Sequence, residues 1–276
     1  MKGYAWRLLP LFRPNLALLN GIAAGGGFLL VPSAYGVGTL WGVMAGVTLL
    51  AAAGSVANQV LEQDLDRLMA RTRSRPLPSG MVTSTAAGVM AGIALVAGLL
   101  LLAPGGLLPV FLGGATLAWY LGVYTPLKRR TPFALLAGGL CGAMGPVIGW
   151  CSAGGAATDY RVILLAGLLY LWQVPHFWLF QQRHQEEYRG AGIPILVPRA
   201  SGTSPTPLCR LWIIALLAGS LLPPVYGLIG TGLLAWYGMA LLALGGLALV
   251  GPERIRFASL NLLPLLLPLV LFVQGW

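Results

Sequence analysis

Residues 14–61 read PNLALLNGIAAGGGFLLVPSAYGVGTLWGVMAGVTLLAAAGSVANQVL, and residues 62–67 continue EQDLDR. The long stretch holds no Asp, Glu, Lys or Arg; the short one holds three acids and an arginine. A membrane-crossing helix needs about 20 predominantly apolar residues. Residues 14–61 therefore suffice for two, separated by the turn-rich composition of Pro32–Gly38. Further charge-free runs at 76–127, 131–158, 162–182, 211–252 and 257–276 have room for two, one, one, two and one. Their internal breaks fall near Pro104–Gly106 and Gly230–Gly232. The sequence thus predicts an all-α integral membrane protein, a bundle of nine transmembrane helices forming a single domain over residues 1–276.

Composition agrees. Of 276 residues, 57% are hydrophobic and 9% charged, against about 25% charged in a typical soluble domain. A disordered chain, a soluble nucleic-acid binder and an ordinary cytosolic enzyme are excluded, because a soluble fold cannot cover this much apolar surface. The net charge of +10 then belongs to cationic loops in contact with membrane lipid, not to nucleic-acid binding. With the N-terminus in the cytoplasm, segments 1–13, 62–84, 125–132, 182–210 and 251–256 lie inside. They carry every Lys and Arg except Arg161, as the positive-inside rule requires, and the C-terminus falls outside. The expected location is a bacterial inner membrane with the acidic motifs facing the cytoplasm. The first apolar segment reads as a retained helix, not a signal peptide. Cys141, Cys151 and Cys209 lack metal-site spacing and predict neither a disulfide framework nor zinc.

Five of the seven acids form two clusters, Glu62, Asp64 and Asp66, and Glu186 and Glu187. They follow the second and sixth spans, which suggests two halves presenting acidic ends over one cavity. Asn58, Glu62 and Asp66 stand at i, i+4 and i+8, one face of a helix. Three oxygen-bearing side chains on a stripe suit Mg²⁺, which prefers oxygen ligands and shares its shell with phosphates. A solvated helix end would also collect acids, but an amide such as Asn58 inside an apolar helix is costly without a partner. Asp64 falls on another face. In the loop that follows, Arg67, Arg71, Arg73 and Arg75 have the forked geometry that suits phosphate oxygens. An anion held by both Mg²⁺ and arginines is most simply a diphosphate, although topogenic charge and anionic-lipid contact would also explain the loop. Tyr124, Thr125, Lys128, Arg129 and Arg130 form a second cytoplasmic cationic cluster, which alone reads as a stop-transfer signal. His176, inside an apolar helix beside Pro175, reads from composition first as a hydrogen-bonded core histidine; its functional openings are a haem ligand, a bond to a freed carbonyl, or a proton relay. Glu186 and Glu187 are candidates for a second metal site. No nucleotide-binding loop, nucleophile elbow or zinc-protease motif occurs.

At these residues the chain resembles the intramembrane UbiA-type prenyltransferase superfamily, and within it the haem O synthase branch. The resemblance rests on Asn58, Glu62 and Asp66, followed by Arg71, Thr72, Arg75, Pro76 and Leu77. It continues with Trp172, Pro175, His176 and Phe177, then Glu187 and Tyr188 through Pro194. Glu187 stands where the family usually has Asp, and the segment after Ile195 does not follow the usual continuation. The resemblance implies transfer of a farnesyl group from farnesyl diphosphate to a vinyl group of haem b, with addition of water, giving haem O. It implies Mg²⁺ at Asn58, Glu62 and Asp66 and at Glu187 with Glu186, and diphosphate contacts from Arg71, Arg75, Lys128 and Arg129. Asn58, Asp66, Lys128 and Tyr124 would then be catalytic, and His176 would position or ligate haem. Haem A synthase or the terminal-oxidase assembly machinery would be the expected protein partner. Three rivals are a prenyltransferase with another aromatic acceptor, a non-catalytic haem-handling protein and an anion transporter. A transporter has no reason for two metal-type acidic clusters on one side of the membrane.

Overall fold

The computed structural model describes residues 2–31, 36–196 and 205–274, and no strand occurs among them. The helices are α1 (Lys2–Phe12), α2 (Pro14–Leu29), α3 (Val37–Leu61), α4 (Gln63–Leu68), α5 (Ser84–Leu102), α6 (Leu107–Trp119) and α7 (Thr125–Leu127). They continue as α8 (Ala134–Ser152), α9 (Tyr160–Arg183), α10 (Gln185–Gly190), α11 (Pro207–Gly219), α12 (Leu222–Val225), α13 (Thr231–Val250) and α14 (Glu253–Val273).

Eight segments among the described residues are long and apolar enough to cross a membrane. They are Val37–Leu61, Ser84–Gly105, Leu107–Leu127, Ala134–Ser152, Tyr160–Arg183, Pro207–Val225, Thr231–Val250 and Glu253–Leu271. The chain is an integral, multi-pass membrane protein. α2, also apolar, has 16 residues, fewer than a bilayer crossing normally takes. The expected break at Pro104–Gly106 is a 3₁₀ turn ending at Gly106, whose φ of 100° only glycine adopts at no steric cost. The break before α13 ends at Gly230. Most of the expected break at Pro32–Gly38 lies outside the described residues, as does much of the segment after Ile195.

Two compact units are present, residues 1–157 with 186–194, and residues 158–185 with 195–276. In the first, α3 packs on α2 and α5, and α2 packs on α8. A Cβ added to Gly46 of α3 would stand 3.0 Å from the Gly98 carbonyl of α5, and one on Gly98 would stand 2.9 Å from the Gly46 carbonyl. On α2 and α8, a Cβ at Gly27 or Gly149 would overlap the backbone of Pro146 or Ala24. Small residues let backbones meet in this way where lipid removes the hydrophobic drive between helices. Val43, Val47 and Leu50 fill the space beside these contacts with Phe28, Leu102 and Ile148. Val89, Ile93, Leu100 and Phe111 stay exposed, as lipid-facing side chains do.

In the second unit, α9 packs on α11 and α14, and α13 packs on α14. The Tyr237 hydroxyl donates to the Ser220 carbonyl at 2.7 Å. At the far end of α14, Gln274 accepts from the Gly230 amide at 2.6 Å and donates to the Leu228 carbonyl at 3.1 Å. That contact closes the turn before α13.

Candidate active site

α3 ends at Leu61, and Glu62 leaves helical geometry at φ −114° and ψ 19°. The hydrogen-bond ladder nevertheless continues. The Glu62 amide donates to the Asn58 carbonyl and the Asp66 amide to the Glu62 carbonyl, both at 2.9 Å. Asn58, Glu62 and Asp66 therefore keep a common stripe, and all three are buried. The loop after α4 is tied to this stripe by Thr72, whose hydroxyl donates to the Asp66 carbonyl at 2.8 Å. Leu77, from the same loop, is fully buried against Leu11 and Val56.

Each acid of the stripe meets a cation. Lys128 Nζ donates to Glu62 Oε2 at 2.7 Å, and Asn58 Nδ2 donates to the same oxygen at 2.8 Å. One nitrogen of Arg75 lies 3.1 and 2.9 Å from the two Asp66 oxygens. Burial pulls the Lys128 ammonium below its ordinary pKa, while Glu62 pulls it back. Burial likewise lowers Arg75, and the charge of Arg13 adds to the effect. Arg13 also bears on Lys128 and has a left-handed φ of 46°. The Lys128 ammonium sits 5.0 Å from the centre of the Tyr124 ring, which stacks on Tyr120. Gly138 makes room for that ring, because a Cβ there would come within 2.7 Å of it.

The second acidic cluster joins the first unit through α10. Arg71 Nε lies 3.4 Å from Glu187 Oε2, and Arg71 donates to the Tyr188 hydroxyl at 3.2 Å. Burial raises the pKa of that phenol. Tyr188 also packs with Leu65, Met69, Ala191 and Ile193.

The structure thus gathers Asn58, Glu62, Asp66, Arg75, Lys128 and Tyr124, and pairs Arg71 with Glu187. Glu186 is exposed. Arg129 is turned outward, with its two nitrogens 2.7 Å from the two oxygens of exposed Asp64. That pairing holds the Asp64 carboxyl below its ordinary pKa and raises Arg129. His176 lies in the second unit, where Nδ1 is 2.7 Å from Asn261 Oδ1. Trp172, Phe177 and Phe257 surround its ring at 4.9–5.6 Å. Reasoning from the sequence did not single out Arg13, Asn261 or the role of Thr125. Asn261 carried the one available signal, an amide in an otherwise apolar helix.

The donor set fits Mg²⁺ in its chemistry, being oxygen throughout. Glu187 Oε2 is buried and accepts no hydrogen bond, its contact being the ion pair with Arg71 at 3.4 Å, so it keeps a lone pair with which to coordinate. Among the described residues no three acidic, histidine or cysteine side chains gather to hold an ion by themselves. A metal here would complete its shell with water and substrate oxygens, as Mg²⁺ habitually does.

Residues 19–257 match the model of the UbiA prenyltransferase family. A relative from Geobacter sulfurreducens named protoheme IX farnesyltransferase is 53% identical over 266 residues, covering 96% of this chain and 98% of that one. Two solved folds are similar. The apo structure of a UbiA homologue from Aeropyrum pernix superposes with a TM-score of 0.75 at 20% identity, covering 95% of this chain and 99% of that one. A UbiA homologue from Archaeoglobus fulgidus bound to GPP and Mg²⁺ does so with a TM-score of 0.66 at 16% identity, covering 97% and 98%. With a match over most of its length and a buried stripe of acids at the C-terminal end of α3, the chain belongs to the UbiA prenyltransferase family.

Proposed function

We propose that this protein transfers the farnesyl group of farnesyl diphosphate to a vinyl group of haem b, with addition of water, giving haem O and diphosphate. The observation that carries the reading is the 53% identity, across nearly the whole of both chains, to a protein named protoheme IX farnesyltransferase. The buried stripe and its paired cations give that activity a physical basis here.

The allylic C–O bond of farnesyl diphosphate breaks, and its electrons leave with the diphosphate. The terminal vinyl carbon attacks the allylic carbon and a new C–C bond forms. The cation left beside the porphyrin takes up water and loses a proton. Bound at Asn58, Glu62 and Asp66, and at Glu187 with Glu186, Mg²⁺ would supply charge that stabilises the leaving diphosphate. Lys128, Arg75 and Arg71 already lie against those carboxylates, and on substrate binding they are the groups that meet the remaining phosphate charge. Arg129 belongs to this set by resemblance, and its fork would first have to leave Asp64. The Tyr124 ring offers a π face to the allylic cation. The apolar bundle keeps stray water from that cation before the vinyl attacks. His176 is assigned to haem, with Asn261 holding one ring nitrogen.

The same reading takes α2 as a ninth span, which puts the N-terminus and both acidic clusters in the cytoplasm and the C-terminus outside, in a bacterial inner membrane. The inward bias of Lys and Arg supports it. It takes the two units as one functional domain and extends to delivery of haem O to haem A synthase or terminal-oxidase assembly.

The test uses purified protein in detergent with haem b, farnesyl diphosphate and Mg²⁺, read by mass spectrometry. A haem gaining farnesyl plus water, lost on chelation, is the expected result. Diphosphate release without a haem product would move the acceptor to another aromatic ring.

A further inference from the structure

Thr125 lies where the helix containing α6 gives way to α7. Its amide bonds to the Tyr120 carbonyl five residues back, so Tyr120–Tyr124 forms a π turn. Such a turn inserts one residue and concentrates at functional sites. The insertion rotates the following side chains by about 100° around the axis. Here it brings the Thr125 hydroxyl, buried at 3% exposure, to 2.9 Å from Asn58 Oδ1.

The chemistry of the neighbours fixes the direction of that bond. Glu62 Oε2 accepts from the Lys128 ammonium at 2.7 Å, and a carboxylate oxygen that accepts from a lysine takes its second hydrogen bond from another donor. The Asn58 group 2.8 Å from Glu62 must therefore be the amide nitrogen, which turns the amide oxygen toward Thr125. A threonine hydroxyl has one proton. The Tyr120 carbonyl, 2.9 Å away, already accepts the Thr125 amide. A proton given wholly to Tyr120 would leave two oxygens facing each other at Asn58, so the hydroxyl donates to Asn58.

We infer that Thr125 is a positioning residue of the transfer site: its hydroxyl holds the Asn58 carboxamide in the orientation that donates to Glu62, and thereby sets the carboxylate that Lys128 and a metal share. This rests on the prenyl-transfer reading above. Asn58 serves as a hydrogen-bond donor to Glu62 before it serves as an oxygen ligand.

The test measures binding, not turnover. Full-length protein in detergent is titrated with a non-hydrolysable farnesyl thiodiphosphate at graded Mg²⁺, and the Mg²⁺ concentration for half-maximal binding is read. Thr125→Val keeps the shape and removes the hydroxyl, and should need about tenfold or more Mg²⁺, the usual loss for an outer-shell partner. Thr125→Ser should stay within about threefold of wild type by the same measure. Asn58→Asp, which cannot donate to Glu62, should reproduce the loss although it adds a carboxylate. Wild-type Mg²⁺ dependence in either Thr125→Val or Asn58→Asp would overturn the inference. If Thr125→Val does not fold, Thr125→Ala is judged by the same criterion. Failure of the wild-type protein to bind the analogue with Mg²⁺ would instead remove the prenyl-transfer reading, and this inference with it.

Discussion

Replacing Lys128 by Met tests whether the site is held together by its charges before any substrate arrives. Lys128 Nζ and Glu62 Oε2 are 2.7 Å apart, with side chains 21% and 9% exposed. At an effective dielectric of about 20 their attraction is about 6 kcal/mol, most of which offsets the cost of removing both charges from water. Deleting one partner of a buried pair typically costs about 3–5 kcal/mol. Here Asn58 still donates to the same Glu62 oxygen and Lys128 retains some exposure, so about 2–3 kcal/mol is expected for Lys128→Met. Glu62→Gln should cost less, about 1 kcal/mol, because an unpaired lysine whose pKa burial already lowers can shed its proton. The double variant has neither charge to strand and should be more stable than the sum of the singles by about 1.5–2 kcal/mol. The assay is reversible unfolding in mixed detergent micelles followed by circular dichroism, which does not depend on activity. Additive singles, with no coupling, would refute the claim that these two charges hold each other.

Asp66→Ala should abolish transfer while the protein still inserts and folds; wild-type turnover in the purified variant would remove Asp66 from the metal assignment. His176→Ala should weaken haem binding, followed by the Soret absorption, and leave prenyl diphosphate binding intact; unchanged haem affinity would make His176 structural. Gly149→Val should destabilise the α2–α8 contact by about 1–3 kcal/mol, as overpacking does, because the added carbons overlap the Ala24 backbone. Gly167→Ala, where nothing lies within 4 Å, should unfold at the same detergent concentration as wild type. Asp64 is held below its ordinary pKa of 3.8 by Arg129, so its contribution is present above pH 3.8 and disappears as the pH falls through the lowered value. The pair is exposed, and Asp64→Asn should cost only about 0.2–1 kcal/mol at pH 7. Unfolding of variant and wild type should converge at strongly acidic pH.

The membrane architecture was legible because lipid imposes a length and forbids stray charge, and both leave marks in one dimension. The eight apolar crossing segments among the described residues fall largely within the charge-free runs, although the run 14–61, read as two spans, supplies one of them and the 16-residue α2; the Gly106 and Gly230 breaks lie where turn composition placed them. The acidic stripe was equally legible, since spacings of four need only a helix. Its survival past Leu61 was not guaranteed, because Glu62 departs from helical geometry and only the continued backbone ladder keeps Asp66 in line.

Which cation meets which acid was decided by tertiary structure. Lys128 and Arg129 are adjacent in sequence and cationic alike. Successive residues on a helical turn point about 100° apart, so one reaches buried Glu62 and the other exposed Asp64. Glu186 and Glu187 separate for the same reason. Thr125 is the clearest case. Its part depends on one inserted residue in a π turn and on a neighbour 67 positions away, and hydrophobic periodicity records neither. Sequence alone determined the helices, their membrane setting and the residue types at the site. Long-range packing alone decided which of those residues touch, because side-chain direction is set by backbone rotation and by the neighbours that fill the remaining space.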